Sequence, residues 1–211
     1  MRLDAGCPRC ASLVSSSGGT WTCPVHGETV PLWRAVEPSY DGFAEYLVLS
    51  RGLPTWLPWS LPPGWQVTDF GCVGLEGHEP RAAFVACSGP SELDGVVEVT
   101  VVTEEPGVGL GSRIAGATHT DPGREVGSSA APVRLRLEAA SVPVWAVDTG
   151  DAEEVLDRSV FAGEAQGRWL WLVLRPASAA LLLQDMGALH DVSDLGPELV
   201  MLPFGTVPRA W

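Results

Sequence analysis

Residues 7–26 read CPRCASLVSSSGGTWTCPVH, and this stretch holds three of the five cysteines of a 211-residue chain. Cys7 and Cys10 form a CxxC turn, and Cys23 and His26 form a CxxH turn of the same length. In each turn the first cysteine is followed by proline, Pro8 or Pro24, and Gly27 follows the histidine. A turn of that spacing aims two side chains at one point, so two such turns supply the four ligands of a tetrahedral Zn²⁺ site. Twelve residues, 11–22, separate the turns, enough for a short hairpin whose tip falls at residues 15–19, where glycine accepts a positive φ. With all four positions filled by protein the ion has no place for substrate, so its predicted role is structural: it folds a segment too small to bury a core. A redox CxxC is the competing reading. It normally sits between a strand and a helix in a thioredoxin-like unit, and the sequence predicts no strand ahead of Cys7.

CPRC, CPVHG and Trp21 on the run leading into the second turn resemble a zinc ribbon, a likeness that covers residues 1–35. The resemblance implies a bound structural Zn²⁺. Ribbons serve in nucleic-acid binding, in protein contacts and as domain staples, so the likeness assigns no function by itself.

Charge narrows that choice. The chain has 13 basic residues, all arginine, against 26 acidic ones, for a formal net charge of -13. Up to Ala35, Arg2, Arg9 and Arg34 stand against Asp4 and Glu28, which is +1, so the remainder carries -14. Nucleic-acid binding draws on a clustered basic footprint that neutralises phosphates, and neither part has one. No signal-peptide core opens the sequence and no apolar run approaches the length that crosses a bilayer, so no membrane insertion is expected. Closely spaced cysteines in that setting predict a reducing, cytoplasmic location.

With 45% apolar residues the chain can bury a sizeable core. The predicted organisation is a zinc ribbon over residues 1–35 and a larger β-rich domain over residues 36–211, in an α+β class dominated by antiparallel β. Residues 36–66 are rich in proline and tryptophan and read as extended, irregular chain lying over a surface. WQVTDFGCVGL (65–75), RAAFVACSG (81–89) and GVVEVTVVTEE (95–105) read as consecutive antiparallel strands. VRLRLEAASVPVWAVD (133–148) alternates with a two-residue period, and the uninterrupted WLWLVL (169–174) predicts a central strand, the second of a hairpin. DAEEVLD (151–157) suits a turn or two of helix, ASAALLLQDM (177–186) suits helix or strand, and a last strand is expected within residues 191–205.

Several residues outside the two turns are candidates for chemistry. The glycine-rich EEPGVGLGSRIAG (104–116) follows a strong strand, but Gly107, Gly109 and Gly111 fail the dinucleotide-loop spacing and the chain has no lysine for a phosphate loop. Its amides with Arg113 offer an anion site, against the reading of a plain turn. Glu98 and Glu164 lie in apolar strands, where each is either a paired, buried carboxylate or a solvent-facing one, with Arg168 or Arg113 as the natural partner of an inward one. Trp56 and Trp59 either present an aromatic face to a ligand or partner, or pack their segment onto the sheet. Cys72 and Cys87 read as core residues, and His78, His119 and His190 as solvated ones. No nucleophile elbow, metal-hydrolase helix or carboxylate pair appears.

WLPWSLPPGW (56–65), ACSGP (86–90), EEPGVGLGSRIAG (104–116) and VFAGEAQGRWLWLVLRP (160–176), behind the N-terminal ribbon, resemble an uncharacterised family of actinobacterial cytoplasmic proteins. The lysine-free, arginine-rich composition agrees with a high-GC genome. No activity follows from the resemblance, because none is established for that family. The expected function is that of a zinc-binding protein-interaction or regulatory module with an unknown protein partner. The alternative is an enzyme or small-molecule binder with a pocket at Gly107, Gly109, Gly111, Arg113 and Glu164.

Overall fold

Strand-forming text dominates the chain, and a computed structural model arranges it accordingly, describing residues 3–124, 126–149, 157–185, 187–208 and 211. The strands are β1 (Leu3–Gly6), β2 (Ser15–Ser17), β3 (Thr20–Cys23), β4 (Gly27–Glu28), β5 (Leu32–Ala35), β6 (Trp56–Pro58) and β7 (Gln66–Val73). They continue with β8 (Ala82–Ser91), β9 (Gly95–Glu104), β10 (Val133–Leu137), β11 (Ala140–Ala146), β12 (Ser159–Ala165), β13 (Arg168–Arg175) and β14 (Leu189–Asp191). Two short helices matter below, α1 (Tyr40–Leu49) and α2 (Leu110–Ala115).

Among the described residues β2, β3 and β4 form a small sheet, and the other eleven strands form one large sheet in the order β1-β5-β7-β8-β9-β13-β12-β11-β10-β14-β6. Its ladders are antiparallel except at the single β10–β14 pair, Leu137 with Leu189. The turn between β12 and β13 is Gln166-Gly167, with φ of 56° and 76°, the left-handed pair that a two-residue hairpin of right-twisted strands requires. β13 then runs from Trp169↔Glu104 to Arg175↔Glu98 against β9, joining the β7–β9 meander to the β10–β13 meander.

That central position explains the unbroken apolar run of β13. Leu170, Leu172 and Leu174 face one core, with Val99 and Val101 of β9, Phe43 and Tyr46 of α1, and Trp56 and Leu57 of β6. Trp171 and Val173 face a second core on the other side, with Phe84, Val102, and Leu110 and Ile114 of α2. A strand covered on both faces has no reason to alternate.

Three expectations are corrected. Residues 36–66 are not extended throughout, because residues 40–49 are helical. Ser39 caps the helix by accepting from the Gly42 amide at 3.3 Å, and Gly42, Phe43 and Tyr46 recur at helical spacing on its buried side. The proline crowding at residues 53–65 belongs to the following segment alone. A strand does precede Cys7, namely β1, although no helix follows Cys10. The last strand expected within residues 191–205 is instead a 3₁₀ turn, Gly196–Met201, and a lone bridge from Phe204 to Val67. The ambiguous 177–186 segment is helical, a 3₁₀ turn Ala177–Leu181 leading into Leu182–Asp185. The helix expected at residues 151–157 lies outside the described residues except for its last position.

β1 and β5, which flank the cysteine-rich segment, pair with each other, and β5 pairs with β7. Residues 7–31 therefore leave and re-enter the large sheet at adjacent strands, as an arm.

Candidate metal centre

The two turns of the arm are built alike. β1 delivers Cys7, whose amide donates to the Ser12 carbonyl at 3.0 Å and so closes the first turn. β3 ends in Cys23, and β4 begins just after His26 at Gly27, whose φ is 71°. In each turn the amide two residues on points back at the first sulfur: Arg9 N to Cys7 Sγ and Val25 N to Cys23 Sγ, both 3.4 Å. Between them the β2–β3 hairpin turns through Gly18 and Gly19, both at positive φ.

A tetrahedral ion with Zn–S bonds of about 2.3 Å and Zn–N bonds of about 2.0–2.1 Å places two sulfurs about 3.8 Å apart, and a sulfur and a nitrogen about 3.6 Å apart. Cys10 and Cys23 Sγ are 3.7 Å apart, and His26 Nδ1 is 3.5 Å from Cys7 Sγ and 3.7 Å from Cys23 Sγ. All four ligand atoms lie within 4.8 Å of one another. The donor set could therefore hold a single metal ion. Burial pushes the Cys7 thiol up to about 11, against amide hydrogen bonds from Arg9 and Cys10. Burial acts the same way at Cys10, but hydrogen bonds involving Ser12, Cys23 and Cys7 outweigh it and bring that thiol down to about 6. Three thiols this close cannot all ionise until a cation sits among them, so binding a metal ion there would release protons.

The arm is clasped to the sheet by two arginines pointing in opposite directions. From the arm, Arg9 Nε and Nη2 donate to the carbonyls of Val108 and Gly107 at 3.1 and 2.6 Å. From α2, Arg113 Nη1 donates to the Cys7 carbonyl. Trp21 of β3 packs edge-on against Trp33 of β5, with ring centroids 5.3 Å apart.

A model described as a family of unknown function, DUF6758, matches residues 1–210. The chain belongs to the DUF6758 family. No curated protein and no solved structure matches it.

In this DUF6758 chain the glycine-rich loop noticed in the sequence is the seat of the arm. The Gly107 amide donates to Asp121 Oδ1 at 2.7 Å, while the Gly107 carbonyl accepts from Arg9. At Gly109, φ is 84° and a Cβ would stand 3.1 Å from Thr120 Cγ2 and 3.3 Å from Arg9 Cγ. At Gly111 a Cβ would overlap the Trp171 indole, so this backbone must stay bare for α2 to lie on β13. Gly111→Ala is expected to lower stability by about 1–3 kcal/mol through overpacking, read from the urea midpoint.

α2 spans only six residues and is held at both ends by side chains from the sheet. Glu104 Oε2 accepts from the Leu110 and Gly111 amides at 2.8 and 3.2 Å, and its Oε1 accepts from Trp171 Nε1 at 2.6 Å. Burial pushes this carboxyl up to about 7 against those three donors. At the other end Arg158 Nε donates to the Ala115 carbonyl at 2.7 Å and Arg175 Nη2 to the Ile114 carbonyl at 3.0 Å. Acid at the N-terminus and cations at the C-terminus both suit the helix dipole.

The sequence candidates Glu164, Trp56, Trp59 and Glu98 do not join this cluster. Arg113 lines a cleft of about 190 Å³ with Cys10, Ser12 and Arg34, and Glu164 is not part of its lining. Glu164 is exposed on β12. A wider surface cavity of about 700 Å³ is lined by residues 117–124, Val147 and Asp148, and includes none of the glycines at issue. Trp56 is core, at 4% exposure, and Trp59 is partly buried against the same core, so both pack their segment onto the sheet. Glu98 is mostly buried, and its partner is Arg175 at 3.6 Å, neither Arg168 nor Arg113. Burial, partly offset by that guanidinium, raises its pKa. Cys72 and Cys87 are buried in the first core.

Sequence reasoning passed over Arg9 and Glu104. Arg9 had a weak signal, a lone cation inside an otherwise uncharged turn. Glu104 had none, because its partners are backbone amides and an indole 67 residues away.

Proposed function

We propose that Cys7, Cys10, Cys23 and His26 hold one structural Zn²⁺ in a zinc ribbon, and that the chain works as a protein-interaction or regulatory module in the cytoplasm. The observation that carries the metal reading is the match of the sulfur–sulfur and sulfur–nitrogen separations to a zinc tetrahedron whose four corners are all protein. Zn²⁺ bound there supplies cohesion: it gathers two turns that have almost no core of their own. The five free cysteines fit a reducing compartment.

The interaction reading is supported by what the arm leaves outside. Leu13, next to the first turn, is 75% exposed, and Val25, inside the second, is 67% exposed. A rigid arm carrying apolar side chains on its metal-bound turns is suited to meeting another protein, and a net charge of -13 disfavours nucleic acid as the partner.

Elemental analysis of protein purified without added metal is expected to give one zinc per chain, and a chain free of zinc and other divalent metals would sink the reading. Leu13→Asp with Val25→Asp should leave that zinc in place while abolishing capture of whatever partner the unaltered chain retains.

A further inference from the structure

We propose that Arg113, on α2, is the counter-charge of the metal centre, so that metal affinity is set partly from the sheet and not by the two turns alone. This rests on the zinc reading above. Three thiolates and a neutral imidazole around a divalent cation leave a net charge of -1, and that excess sits on an arm whose only other charged side chain within the two turns is Arg9. Arg9 is engaged with the Gly107 and Val108 carbonyls.

Arg113 stands on the opposite side of the junction. Its Nη1 donates to the carbonyl of Cys7, the ligand at the end of β1, and it lines the same cleft as Cys10. Among the described residues no carboxylate forms an ion pair with it. Asp4 lines the same cleft without forming an ion pair with Arg113, and Asp69 is taken by Arg34 through both Nε and Nη2. The guanidiniums of Arg34 and Arg113 also share the Trp211 ring, 3.7 and 4.9 Å from its centroid. A mostly buried cation beside a second cation, with no acid of its own, is costly unless a negative group lies close. The thiolate cluster is that group. A hydrogen bond to the Cys7 carbonyl also fixes the backbone of the first turn, which orients Cys7 Sγ. Outer partners of this kind typically change metal affinity by about 10–100-fold.

The same geometry makes the effect reciprocal. If Arg113 tightens the metal, the metal tightens the seating of the arm on α2 by the same factor. Arg113→Gln removes the charge while keeping a polar side chain, and Arg113→Lys keeps the charge but loses the planar fork. Arg158→Gln is the control, since Arg158 supports α2 at its far end, through the Ala115 carbonyl.

Zinc dissociation constants measured by competition with a chromophoric chelator on the full chain test the proposal, with circular dichroism to confirm folding. Expected are a loss of about 10–100-fold for Arg113→Gln, partial recovery for Arg113→Lys and an unaltered constant for Arg158→Gln. Unaltered affinity in a folded Arg113→Gln chain would overturn the proposal. An equal loss in Arg158→Gln would overturn it too, by showing that any weakening of α2 suffices. An unsubstituted chain that takes up no zinc would instead remove the metal reading beneath it, which separates the two failures.

Discussion

Stripping the metal with a strong chelator, or replacing Cys23 by serine, is expected to unfold residues 7–31 and leave the large sheet standing. Zinc in isolated small structural sites contributes roughly 10–16 kcal/mol of apparent binding free energy at neutral pH, which is folding free energy for segments that have no core. The arm is such a segment, because Cys7, Pro8 and Cys23 are its buried residues between β1 and Pro31 and the two cysteines belong to the four-residue cluster. The sheet does not depend on them, since neither cysteine belongs to its two cores, which are built from the large-sheet strands, α1 and α2. Limited proteolysis with mass readout is the direct measurement. Cuts confined to residues 7–31 in chelated protein, and absent when zinc is restored, are the expected pattern. Cleavage identical with and without chelator would contradict it. Cys72→Ser, buried in the large sheet and outside the four-residue cluster, should retain the full metal content.

Trp171→Ala is expected to cost about 3–5 kcal/mol, a large part of the roughly 5–15 kcal/mol that holds a domain of this kind together. Trp171 is fully buried on the central strand and packs where Gly111 leaves room for it. Its removal opens a cavity between α2 and the sheet and takes away one of the three donors that hold the buried Glu104 carboxylate. Trp169→Ala, two residues along the same face but only partly buried, should cost markedly less. Urea unfolding of both variants against the unsubstituted chain decides the matter, and equal losses would show that the α2–β13 contact is not special.

The parts of this architecture that could be read from the sequence are those set by near neighbours. Two matched turns announce a four-ligand cluster because each needs only four consecutive residues, and the structure brings all four side chains together. The run around Trp171 announces a doubly covered strand because apolar text without alternation has few other uses. Residues 40–49 were hidden by the prolines that follow them, although Ser39 and the Phe43–Tyr46 spacing were in plain view. The glycine-rich loop was visible as a feature but not as a seat. Its carbonyl partner, Arg9, lies about a hundred residues upstream, and a single sequence carries no record of such pairs. Glu104 was equally silent, since a carboxylate that accepts from backbone amides leaves no pattern in side-chain identities.

Gly6 faces Leu32 directly across the β1–β5 ladder. The segment carrying the Cys/His cluster thus begins and ends one strand spacing apart, about 5 Å, at points where a two-residue reverse turn would serve equally well. In engineering terms the arm is a cartridge seated in a hairpin: exchanging it for an Asn-Gly link would preserve the pairing of its flanks while laying bare the carbonyls of Gly107 and Val108.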